Sequence, residues 1–106
     1  MHNNFIQAIH DKKKIELHFF SKEDGIIIVR KCAPMDFGPS RSAKIKTDRY
    51  HLWDYESAEK QHNLPLLPNQ IKEIIILNEY FDPVEFITWD TATSPWFVPR
   101  DWGQFS

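Results

Sequence analysis

The stretch KIELHFFSKEDGIIIVRKC, residues 14–32, decides the fold. Ile15, Leu17 and Phe19 alternate with Glu16, His18 and Phe20, the period-two pattern of a half-buried strand. Ser21 to Gly25 read as a turn, because Asp24-Gly25 supplies the residue pair that tolerates positive φ. Ile26 to Cys32 is then a β-branched run, which predicts the returning antiparallel strand.

Upstream, Phe5, Ile6, Ala8 and Ile9 fall at helical spacing and predict a short amphipathic helix over 2–12, with Asn3 or Asn4 as N-cap. Downstream, Pro34, Gly38 and Pro39 make 34–41 a loop or an irregular edge. Residues 43–47 alternate again, and 49–55 set Tyr50 and Leu52 opposite His51, Trp53 and Tyr55, with Thr47-Asp48 as a tight connection. Residues 56–63 read as an exposed loop. Pro65 and Pro68 keep 64–71 extended, and three isoleucines favour a strand over 71–77. Asp82-Pro83-Val84-Glu85 is a helix start, predicting a short helix from Pro83 to Trp89.

From Asp90 onward the chain is irregular but carries Trp96, Phe97, Trp102 and Phe105. Disordered tails are poor in aromatics, so this one should be ordered. It either closes an open sheet edge or docks on a partner or second copy, with Trp96, Arg100 and Trp102 as anchors. The expectation is a mainly β (α+β) single domain over 1–106. A helix and a small bent antiparallel sheet or barrel of about five strands occupy 2–77, and a short helix and aromatic segment, packed on it, occupy 78–106.

The 106 residues suffice for one core and not for two domains of ordinary size. One cysteine, Cys32, excludes an internal disulfide framework and a Cys-only zinc site. No apolar run approaches the ~18 residues of a membrane span, and the N-terminus lacks the build of a signal peptide, so a cytoplasmic chain without membrane contact is expected. Residues 1–53 carry 10 Lys or Arg against 6 Asp or Glu, while 54–106 carry 3 against 9. The net charge of −2 argues against a general nucleic-acid coat, yet leaves a local basic stripe between Arg30 and Arg49.

Taken in order, the helix, the Lys14-Ile15 strand, the Asp24-Gly25 turn, the Arg30 to Pro34 strand and Arg49-Tyr50-His51-Leu52 resemble the WYL domain over residues 4–77. The family's Trp-Tyr-Leu triplet falls on Tyr50, His51 and Leu52, and its Asp-Arg-Ile falls near Asn69-Gln70-Ile71. The resemblance implies an Sm-like small β-barrel, of the kind found in bacterial transcription regulators, that senses a ligand or binds nucleic acid. The segment after residue 78 has no counterpart in the family pattern.

The residues themselves offer one composite site. Arg30, Arg41, Lys44, Lys46 and Arg49 supply charge for an anion, and His51, Trp53 and Tyr55 share a strand face on which a base can stack. The opposing reading buries that face. His18, His51 and His62 lack metal-ligand spacing, and Cys32 among β-branched neighbours reads as a small hydrophobe despite Arg30-Lys31 before it. No catalytic residue, cofactor or metal is therefore expected. The function expected is a regulatory, non-enzymatic module for a nucleotide or single-stranded nucleic acid. The alternative is a protein-interaction or homo-oligomerising adaptor working through the aromatic tail.

Overall fold

The computed structural model describes residues 1–41, 43–57 and 60–106. Helix α1 (His2–Asp11) leads into β1 (Lys13–Ser21), β2 (Ile26–Pro39), β3 (Asp48–Asp54), β4 (His62–Leu66) and β5 (Ile71–Tyr80). The strands form one antiparallel sheet in the order β4-β3-β2-β1-β5. The mainly β architecture with an N-terminal helix is the one the hydrophobic periodicity predicts. No ladder joins β4 to β5 among the described residues, so the sheet is open.

The sheet must nonetheless bend. Leu67 to Gln70 alone connect β4 at one edge to β5 at the other. Five steps of extended chain reach about 17 Å, whereas the edges of a flat five-stranded sheet lie about 19 Å apart. Most of this connection is a 3₁₀ turn, Pro68–Gln70, which shortens its reach further. Gln70, where the resemblance aligns the family's arginine, is buried. Its amide donates to Phe20 O at 3.1 Å and accepts from Leu67 N at 3.0 Å, which ties the connection to β1.

Helix α1 begins one residue after Met1, which is the N-cap; neither Asn3 nor Asn4 caps it. The early start brings Phe5, Ala8 and Ile9 onto the sheet and sets His2 Nδ1 2.7 Å from the Tyr50 hydroxyl. Lys12 ends the helix in the left-handed region, φ 53°. The core joins Phe5 and Ile9 to Ile15, Leu17, Cys32, Leu52 and Ile74.

The stretches around β3 match expectation in part. Of the loop or irregular edge expected over 34–41, the structure has the edge, with β2 running on through Pro34, Gly38 and Pro39. Its ladder with β1 ends at Cys32, so the later residues pair only with β3, and one free side plus a register shift between Pro34 and Asp36 accommodate the prolines. Residues 43–47 form no strand, because that extension of β2 occupies the place beside β3. The extended segment expected from Leu64 starts at His62 and pairs as edge strand β4, where Pro65 is tolerated.

The helix expected over 83–89 is a single 3₁₀ turn, Pro83–Glu85. Its caps are those the sequence specifies: Asp82 accepts from Val84 N, and Glu85 accepts from Asp82 N at 2.9 Å. Phe86 leaves helical geometry and is buried with Ile87, so core contact ends the turn. The C-terminal segment is ordered on the rest of the fold. Trp102 is buried, its indole N–H donates to Ile9 O at 2.9 Å, and its ring meets Phe81 edge-on.

Candidate functional site

The late half of β2, the loop after it and the C-terminal segment enclose a cleft of about 350 Å³. β2 contributes Met35, Asp36 and Pro39; the loop contributes Ser40 and Arg41; β3 and β4 contribute His51 and Asn63. Trp89 and Ser94 to Phe97 form the opposite wall.

One carboxylate holds that wall. Asp36 accepts from Phe97 N at 3.0 Å and Val98 N at 2.9 Å, and it pairs with Arg100 at 3.2 Å. The Arg100 side chain is fully buried. It donates to Met35 O and Val98 O, and its guanidinium lies against two indoles, 4.0 Å from Trp96 and 4.4 Å from Trp102. Burial lowers Arg100 from its usual range to about 10, against the opposing pull of Asp36. Gly38 makes room for the wall: a Cβ there would meet the Phe97 ring at 2.5 Å.

Two of the eight residues expected to bind ligand line this cleft, Arg41 and His51. Arg41 is exposed, donates to Pro95 O at 2.6 Å and lies over the Phe97 ring at 5.2 Å. Nε2 of His51 faces Gly38 O at 2.9 Å. A carbonyl only accepts, so that nitrogen carries the proton. Lys46 turns back to the carbonyls of Ser40 and Arg41 and braces the loop, while Lys44 is exposed on it. Arg49 is half-buried, and its Nε has no hydrogen-bond partner among the described residues. Arg30 lies elsewhere, beside Asp54 at 3.4 Å in a second cleft.

The expected stacking platform is not a free surface. Tyr50, Leu52 and Asp54 take the core side of β3, and on the opposite side Trp53, like Tyr55 after it, is half-buried against the segment after β5. Trp53 stacks on Phe86 at 5.7 Å and donates to Gln61; Tyr55 donates to Glu85, and Lys14 lies over its ring. Burial, with Glu85 adding to it, pushes the Tyr55 hydroxyl up. The expected partner anchors are likewise engaged within the chain: Arg100 and Trp102 are buried, and Trp96, half-buried, donates to Phe105 O at 2.7 Å.

Burial, reinforced by Asp54 and Glu56, pushes the Cys32 thiol far up, which suits a core residue and not a nucleophile. Among the described residues, no three His, Cys, Asp or Glu side chains gather as a metal site, and no helix is long and apolar enough to cross a membrane. Asn63 and Trp89 are cleft residues that the sequence reading did not single out. Arg100 stood out as an expected anchor, while Asp36 left one signal, the lone charge of residues 32–39. No family model, curated protein or solved structure matches the chain.

Proposed function

We propose that the chain is a non-enzymatic binding module whose ligand is small, flat and anionic, of mononucleotide size, and sits in the cleft between Arg41 and Trp89. The observation that carries this reading is the meeting of a cation with aromatic walls. Arg41 stands at the cleft beside Phe97, and Trp89 and Trp96 line it in edge-to-face contact at 5.7 Å. Arg41 retains donors beyond the one given to Pro95, and guanidinium groups suit phosphate and carboxylate alike.

Size chooses within the ligand class. About 350 Å³ lies at the small end of ligand sites, roughly 300–1,000 Å³. A polynucleotide needs an open track that runs past several bases. The reading therefore narrows from nucleotide or single strand to a single nucleotide-sized molecule. A regulatory, WYL-like role and a cytoplasmic setting accompany this proposal as expectations from sequence.

The test is a titration of the full chain with mononucleotides and short oligonucleotides, followed by tryptophan fluorescence at low and physiological salt. Saturable quenching by mononucleotides that weakens with salt is expected, with Arg41→Ala reducing affinity about tenfold. A flat signal throughout, or unchanged affinity in Arg41→Ala, overturns the assignment.

A further inference from the structure

The inner face of β1 and β2 opens, beside the turn at residues 22–25, into a second cleft of about 300 Å³. Phe19, Ile28 and Leu64 give it apolar lining, and the remainder is polar. Arg30 enters from β2 with its side chain 29% exposed, and Asp54, nearly fully buried, lies against it at 3.4 Å.

That arginine is under-used. A guanidinium offers five N–H donors. Among the described residues its Nε makes the charge contact with Asp54, outside hydrogen-bond geometry, and neither terminal nitrogen has a hydrogen bond or ion pair. A terminal fork with no acceptor from the chain is open to one from outside, and its planar geometry matches a carboxylate bidentately. The inner end of the cleft therefore suits an acceptor from outside the chain.

The rim carries the opposite sign. Glu23 and Asp24 are exposed on the turn and border the same cleft, where Asp24 is fixed by the Ser21 hydroxyl at 3.0 Å. Asp54 already balances Arg30, and among the described residues neither Glu23 nor Asp24 has an ion pair, so the rim disfavours a simple anion. A ligand with an anionic end inside and a cationic end outside meets both demands. The cleft beside Arg41 differs, since there Asp36 is balanced by Arg100.

We propose that the second cleft binds a small zwitterion of the free α-amino acid type, with its carboxylate on Arg30 and its ammonium toward Glu23 and Asp24. Asp54 is a positioning residue that holds the guanidinium in place. This site is independent of the anion cleft, and either assignment can fail alone.

The experiment is a titration of the ¹⁵N-labelled full chain with free amino acids, each beside its des-amino acid and its simple amine. The amides of Ser21, Ile28 and Leu64 report on this cleft, and those of Phe97 and Val98 report on the other. Amino acids should move the first set and not the second, and des-amino acids should bind at least about tenfold more weakly. Arg30→Gln should abolish the shifts. That variant leaves Asp54 unpaired, so Glu23→Lys, on an exposed turn, decides the matter should the first fail to fold; it should reverse the preference toward the des-amino acid. No shift at about 10 mM of every amino acid, or equal binding of amino and des-amino acids, overturns the proposal and leaves Arg30 and Asp54 as an internal ion pair only.

Discussion

Replacing Asp36 by alanine should be the most damaging single change to the C-terminal segment. The substitution removes the carboxylate that accepts from Phe97 N, Val98 N and Phe37 N and pairs with Arg100. Arg100 would be left fully buried and uncompensated. Breaking a buried pair by removing one partner costs about 3–5 kcal/mol, and no discount for solvent screening applies at this exposure. Domains of this kind have roughly 5–15 kcal/mol in total. With a urea slope of about 2 kcal/mol per molar, the midpoint should fall by about 2 M. Urea unfolding followed by circular dichroism measures the global effect, and tryptophan emission reports separately on release of Trp96 and Trp102. A double-mutant cycle with Arg100→Met isolates the pair, because the second change should cost far less once Asp36 is gone. A loss under about 1 kcal/mol, or an equal cost of Arg100→Met in both backgrounds, would refute the view that this pair fastens the segment.

Gly38→Ala places a methyl 2.5 Å from the Phe97 ring. It should cost about 1–3 kcal/mol and weaken ligand binding at the Arg41 cleft; unchanged stability and affinity would count against a close-packed wall. Alkaline stability should decline from about pH 9. Cys32 has an ordinary value of 9.0, Tyr50 and Tyr55 of 10.0, and burial raises all three in the folded chain. The folded state then keeps protons that the unfolded state sheds, so their contribution is complete below those ordinary values and is lost as pH rises above them. Arg100, lowered to about 10, acts in the opposite sense above that pH. Between pH 9 and 10 the thiol dominates, at up to about 1.4 kcal/mol per pH unit. Cys32→Ala should flatten that interval in denaturant titrations, and parallel pH profiles would show that the thiol is not responsible.

Much of the fold was readable because its periodicities are long and unambiguous. β1 shows three clean alternations, the Asp24-Gly25 turn has one plausible geometry, and Gly25 adopts φ 71° as that turn requires. The prolines of β2 pointed to a loop or an irregular edge, and the structure gives the edge, since those residues have one free side. Residues 43–47 alternate as well as a strand does, but local alternation cannot say whether a neighbour has already taken the place. The site was less readable for the same reason. Arg41 and His51 stood out by residue type, whereas Asp36 acquires its role only when residues 97–100 arrive more than 60 positions later. Whether the face bearing Trp53 and Tyr55 is free stayed open in the sequence, because nothing local foretells that Phe86 will stack on Trp53.

The arrangement of strands also sets an order of assembly. β1 meets β2 across a four-residue turn, but it meets β5 only by joining Phe19 to Ile71, 52 positions apart. Closing the longer loop costs about 2 kcal/mol more in chain entropy. The hairpin should therefore form first and wait, with the β1 edge unpaired until β5 docks. An uncovered strand edge of this kind invites pairing with another chain during folding. Lys13 and Lys14 stand at the start of that edge, where charge discourages such encounters, and the same two lysines end up in cation–π contact with Tyr80 and Tyr55 in the finished fold.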